Sequence, residues 1–279
     1  MQKVHQVYYY SSYQFLIPLV LLLNFGLVFS QTKTELDVDK KIRQDKIIKE
    51  FAENCAHKSH YFFPEWQECL DAGLKKDSTI AYLWQQKAMP YFKQRKYEVG
   101  MALIDKAVYY NNAEYLPYRA FIKCIFSKEY KDAIIDFKEC IVKYGNQYEM
   151  DHTYNFYIAL SYLQLNEFKK AEELFTHDIL DQEKKRGEAH YLDVFYLGIT
   201  KYEQKKWEEA NQEFDKALSV YTNFSDAKYY KTLCLYKMGK MEESKVLSEQ
   251  AKIDLAKGYT INEDNAIYEL YPYQLKRTK

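Results

Sequence analysis

Glycine and proline are scarce in this sequence, at 8 and 5 of 279 residues. Their shortage removes the usual punctuation of β-rich folds and flexible linkers, and it favours long helices. Neither sign of charge dominates, with Lys and Arg at 40 and Asp and Glu at 40. A chain without a net field lacks the electrostatic footprint that nucleic acid or an anionic membrane requires. No CxxC pair occurs among the 5 cysteines, so neither a zinc ribbon nor a thioredoxin-like redox site is supported. A glycine-rich phosphate loop, a GxSxG turn and an HExxH helix are all missing. The expectation is a chain that is not an enzyme and that takes no cofactor or metal. His57 and His60 lie three apart beside Cys55, a spacing that is common by chance. Acidic pairs such as Glu208–Glu209 suit exposed helix faces with lysine neighbours.

Long apolar runs are also missing, apart from FLIPLVLLLNFGLVF over residues 15–29. Lys3 and His5 precede it and Ser30 follows it, the order of a secretory signal peptide. The run falls short of the roughly 20 residues a membrane-spanning helix needs, and Pro18 and Gly26 interrupt it. Residues 1–30 are therefore expected to be a signal peptide cleaved after Ser30, with a retained anchor as the alternative. No cysteine ends the run, so no bacterial lipid attachment is indicated. An exported chain can keep disulfides. Cys55 and Cys69 could face each other across a helical hairpin or be small buried apolar residues. Cys124 and Cys140 fit the buried role better.

Aromatic residues are abundant, with 29 Tyr and 16 Phe. They recur in register. Tyr97, Tyr130, Phe168, Trp207 and Met241 each open an amphipathic segment, at separations of 33, 38, 39 and 34. Three places later come Gly100, Ala133, Ala171, Ala210 and Ser244. Ile104, Phe137, Phe175, Phe214 and Ser248 follow, and then Ala107, Cys140, Asp178, Ala217 and Ala251. Each of these segments is preceded by another helical pattern, over 80–94, 115–126, 153–165, 192–203 and 227–237. Pro90 should bend the first of these. The two long intervals are expected to hold extra loop residues at 144–151 and 180–188. Before the repeats, helices are expected over 37–57 and 64–75, as a cap or degenerate repeat filling residues 31–80. Four aligned columns at near-constant period are the signature of a helical repeat array.

The YLDVFYLGITKYEQKKWEEANQEFDKAL stretch at residues 191–218 resembles the tetratricopeptide repeat, and so do the four units aligned with it. The repeats and the ending GYTINEDNAIYELYPYQ together resemble uncharacterised exported tetratricopeptide proteins of Gram-negative bacteria. The resemblance implies an all-α, right-handed solenoid of antiparallel helix pairs. Its five repeats would be 81–113, 114–151, 152–190, 191–224 and 225–258, followed by a tyrosine-rich tail at 259–279. It also implies that the first helices line a concave groove, which places Tyr82, Phe92, Tyr118, Phe126, Phe156, Phe195, Tyr202, Tyr229 and Tyr236 there. These rings would anchor an apolar or aromatic peptide segment of a protein partner. The family's carboxylate-clamp positions hold Gln85, Met89, Tyr118 and Ile122, so capture of a terminal carboxylate is not expected. The tail is expected to cap the last repeats; lying in the groove is the alternative. The functional expectation is a periplasmic or envelope-associated adaptor, a monomer or a subunit of a hetero-complex. The alternative is a structural assembly subunit using its convex face and tail, with the groove closed by that tail.

Overall fold

The computed structural model describes residues 37–276. The expected signal peptide at residues 1–30 and its cleavage point lie outside the described residues. Among those described, no helix is long and apolar enough to cross a membrane. The chain divides into two compact units between Ser78 and Thr79.

In the first unit, residues 37–47 form helix α1. A π-turn at Ile48–Glu53 and a 3-10 turn at Ala56–Lys58 follow, then α2 at Pro64–Lys76. Pro64 takes the first turn of α2, where its missing N–H costs nothing. The single helix expected over 37–57 is broken. Cys55 leaves helical backbone at φ −126° and ψ −79°, and its sulfur joins Cys69 in a disulfide. Ala52, Ala56, Trp66, Leu70 and Leu74 are buried around that crosslink.

The second unit begins with five helix pairs. These are α3 (Ala81–Lys93) with α4 (Tyr97–Tyr110), α5 (Asn112–Ile125) with α6 (Tyr130–Tyr144), α7 (Tyr154–Gln164) with α8 (Phe168–Arg186), α9 (Tyr191–Glu203) with α10 (Trp207–Val220), and α11 (Ser225–Lys237) with α12 (Met241–Lys257). All five second helices open at the residue the repeat register indicates. Each turn within a pair places one residue in the left-handed region, two positions before the second helix. These residues are Arg95, Lys128, Asn166, Lys205 and Gly239, with φ between 60° and 77°. Only the last is glycine, so packing elsewhere offsets a local cost at the other four.

Small residues explain the close approach within the pairs: the second-helix column that begins at Gly100, and Gly198 on the first helix α9. A Cβ on Gly100 would stand 2.4 Å from Phe92 Cε1, and one on Gly198 would stand 2.6 Å from Phe214 Cε1. Ala133, Ala171 and Ala210 are fully buried in the same column. Pro90 lies inside α3, which continues beyond it to Lys93.

The two long intervals resolve differently. Residues 144–151 do hold a loop, closed by a short antiparallel pairing of β1 (Tyr148–Glu149) with β2 (His152–Thr153). Residues 180–186 are not a loop, because α8 runs on to Arg186 before Gly187 ends it at φ 88°. The segment DQEKKR consists largely of good helix formers, and Lys185 pairs with Asp181 one turn back.

Each second helix packs on its own first helix and on the first helix of the next pair, while successive first helices also touch one another. Direct contact between successive first helices makes them the inner layer of a curved stack. The core lies between the layers, with Phe121, Phe137, Phe156, Phe175, Phe195 and Phe214 all buried.

Candidate functional site

The inner face is occupied by the chain's own C-terminal segment. After α12 ends at Gly258, the backbone of Tyr259 is tied to α11 by a hydrogen bond from Ser225 N–H, at 2.8 Å. The segment then runs along the first helices and returns. One carboxylate ties both arms: Asp226 accepts from the N–H of Ile261 at 3.2 Å and of Leu275 at 2.6 Å. Gln274 Nε2 donates to Ile261 O across the two arms, at 3.3 Å.

The far end of this loop reaches the first two repeats. Lys93 Nζ donates to Tyr268 Oη at 3.2 Å and lies 4.4 Å from the ring centre. Arg95 donates to Tyr268 O at 3.3 Å and pairs with Glu269 at 3.3 Å. The Tyr97 hydroxyl donates to Glu269 at 2.6 Å, and Lys128 Nζ donates to Leu270 O at 2.9 Å. On the return, Tyr271 and Pro272 are buried, and the Tyr196 hydroxyl donates to Pro272 O at 2.8 Å. The Tyr273 hydroxyl donates to Glu203 at 2.9 Å while its ring meets Tyr230 edge-on.

Midway, the outgoing arm places Glu263 beside His152. His152 is fully buried at the base of α7, stacked on Phe156. Its Nδ1 is 2.7 Å from Asp193, and its Nε2 is 3.5 Å from Glu263 without completing a hydrogen bond. Burial works against a charged ring here, but Asp193 and Glu263 together outweigh it and push the pKa up to about 9. Glu263 is held below the usual carboxylate range, because His152 outweighs the effect of its own burial. Asp226 moves the other way: burial pushes it up to about 6 although backbone N–H groups favour its charged form. Burial, followed by the bond to Glu269, raises the Tyr97 hydroxyl.

The expectation that the tail caps only the last repeats is therefore corrected, since it reaches Lys93 and Arg95 in the first. Its acidic residues explain the reach: Glu263 and Glu269 meet His152, Arg95 and Lys128, none of which belongs to the expected aromatic stripe. The signal was present as basic residues at the turn positions 95 and 128, opposite in sign to the tail's glutamates.

The nine rings expected in the groove separate into three groups. Phe92, Phe126, Phe156 and Phe195 are buried and do not line it. Three of them point toward the second helices: Phe92 lies against Gly100, Phe156 against Phe175 and Phe195 against Phe214, while Phe126 packs against Phe92 and Phe121 of the first helices. Tyr82, Tyr118 and Tyr202 are half-buried, the last between Trp207 and Tyr230. Tyr229 and Tyr236, on α11, are 40% and 56% exposed.

Of the residues weighed for a metal, Cys55 is bound in its disulfide and His57 stacks on Trp66. A different group has metal-ligand spacing: one ligand atom each from His152, His190 and Asp193 lies within 4.8 Å of the others.

No family model and no curated protein matches the sequence. Solved structures do match. A tetratricopeptide repeat protein from Parabacteroides merdae aligns with a TM-score of 0.60 at 15% identity, over 77% of this chain and 84% of its own. PilW, described as a widely conserved type IV pilus biogenesis factor, aligns with a TM-score of 0.57 at 15% identity, over 83% and 94% of the two chains. TPR-like repeats of a kinesin light chain from Podosopora anserina align with a TM-score of 0.51 at 14% identity, over 64% and 96%. The chain thus has the tetratricopeptide-repeat fold, an all-α solenoid of helix pairs.

Proposed function

We propose that this chain is a non-enzymatic assembly subunit of the bacterial envelope that meets protein partners with its outer surface while its own tail closes the groove. The observation that carries this reading is the tail's path across the inner face, with Tyr271 and Pro272 buried and Asp226 tying both arms. A partner peptide in the groove would have to displace those contacts. The outer layer, in contrast, leaves large apolar side chains in solvent. Tyr109 on α4 is 80% exposed and Val142 on α6 is 87% exposed. The Cys55–Cys69 disulfide supports an exported chain, because such bonds persist in oxidising compartments. The apolar run at residues 15–29 and the likeness to PilW agree with an envelope setting.

A second reading, in which the groove binds an aromatic segment, draws support from Tyr229 and Tyr236, which the tail leaves exposed. Site-specific photo-crosslinking in native cells separates the two. A photoreactive residue at Tyr109 or Val142 is expected to capture a discrete partner, and one at Tyr118 is expected to capture none. Capture from Tyr118 in the intact chain would support the groove instead. An absence of adducts from every position would remove the support for an interaction role.

A further inference from the structure

We propose that His152, His190 and Asp193 form a binding site for a divalent transition-metal cation of the zinc class, buttressed by Glu263 from the tail. The ligand types suit such an ion, since two imidazoles and a carboxylate are a borderline-soft donor set. The spacing suits it as well. Two ligands of one tetrahedral zinc ion, each about 2.0–2.1 Å from it, stand roughly 3.3–3.4 Å apart. Asp193 Oδ1 is 2.7 Å from His152 Nδ1 and 3.9 Å from His190 Nδ1, distances that bracket that edge. The two imidazole rings meet at 84° with centroids 4.9 Å apart, so both face one carboxylate without stacking on each other.

The surroundings are those that orient metal ligands. A histidine that binds a metal through one nitrogen usually gives its other N–H to a carboxylate. His152 directs Nε2 at Glu263, 3.5 Å away, and that buried nitrogen completes no hydrogen bond. Gln182 Nε2 donates to Asp193 Oδ2, leaving Oδ1 to the site. Gln182 Oε1 accepts from the backbone N–H of His190 at 3.1 Å, which positions that residue's main chain, and His190 Nδ1 accepts the long N-cap bond from Leu192 N–H at 3.4 Å, which a cation would displace. A cation would replace the proton now shared between His152 Nδ1 and Asp193 Oδ1. It would enter past His190, whose side chain is 37% exposed whereas those of His152 and Asp193 are 1% and 2% exposed.

The test is calorimetric titration of the intact chain with zinc, with the visible d–d spectrum of added cobalt as a second readout. A single equivalent of each ion is expected, with the intense cobalt bands of a four-coordinate site. His190→Ala, a change at the exposed edge, should abolish the cobalt bands and weaken zinc by more than about 100-fold. Glu263→Gln should weaken zinc by about 10–100-fold, as loss of such a supporting carboxylate typically does. His177→Ala, on the exposed face of α8, should change nothing. Failure of the intact chain to take up either ion stoichiometrically would overturn the proposal. So would uptake that survives His190→Ala unchanged, which would mark adventitious coordination elsewhere. Circular dichroism of each variant ensures that a loss of binding is not a loss of fold.

Discussion

At the residue scale, two positions show how burial decides chemistry. Asp226 carries two backbone N–H groups of the tail yet sits out of water, and burial lifts its pKa from 3.8 to about 6. Its proton is bound more tightly in the folded state than in the unfolded one. The stability it contributes is therefore full below about pH 4 and lost as pH rises through 6. The difference amounts to about 1.4 kcal/mol between pH 5 and pH 8 and approaches about 3 kcal/mol below pH 4. Asn at this position cannot titrate. Urea unfolding of the parent and Asp226→Asn at the two pH values should show the parent losing that increment relative to the variant. Parallel pH profiles would refute the assignment to Asp226. Gly198 is the second position. Alanine there would gain about 1 kcal/mol of helix propensity but would press a methyl group against buried Phe214. Overpacking of that kind costs about 1–3 kcal/mol, so Gly198→Ala is expected to lower the melting temperature despite its better propensity.

At the element scale, the tail and the disulfide-linked turn are the informative parts. The tail behaves as a plug. Deleting residues 259–279 removes Tyr271 and Pro272 from buried positions and uncovers Tyr196, Tyr230 and the apolar inner layer. The shortened chain is expected to bind a hydrophobic dye more strongly and to melt earlier than the intact one. Equal dye fluorescence from both would mean that the groove closes without the tail. The Cys55–Cys69 crosslink spans a separation of 14 residues, and a loop of about that length is worth roughly 3 kcal/mol in the chain-entropy treatment. Reduction should therefore speed hydrogen exchange across residues 48–76, and unchanged exchange there would show that packing around Trp66 and Leu70 holds the turn without the bond. These two elements also show what local pattern can convey. The helix at Pro64–Lys76 announces itself through Pro64 and its apolar spacing. The break after Glu53 does not, because it depends on where Cys69 lies in space. The continuation of α8 to Arg186 was legible in the helix formers DQEKKR, but the repeat alignment pointed to an insertion loop instead.

At the scale of the whole molecule, the charge balance of the sequence acquires a location. Forty basic and 40 acidic residues cancel in the sum, but in the second unit the tail's glutamates are set against Arg95, Lys128 and His152. Of these, only the His152–Glu263 pair is buried; the side chains of Arg95 and Lys128 are 64% and 32% exposed, and ion pairs at such positions fix which segment lies where more than they add stability. The tail is therefore specified by charge at two points and by aromatic burial between them. This arrangement accounts for a helical stack whose inner face is filled by its own tail, with Tyr109 and Val142 exposed on second helices and Tyr229 and Tyr236 exposed on α11.

The sequence by itself determined the helix pairs. The repeat columns depend only on helical periodicity and on small residues where two helices must approach, and both are local properties that survive without a partner structure. It also marked the aromatic excess that any such stack must bury. Only the tertiary structure decided which aromatics are core and which are surface. Phe92, Phe156 and Phe195 turn toward the second helices, and a rotation of one helical position separates that outcome from lining the groove. Only the tertiary structure, likewise, carried the tail back to the first repeat and brought His152, His190, Asp193 and Glu263 together. Those contacts join residues from about 40 to about 175 positions apart, and their pairing depends on the curvature of the stack, which no local pattern in the chain encodes.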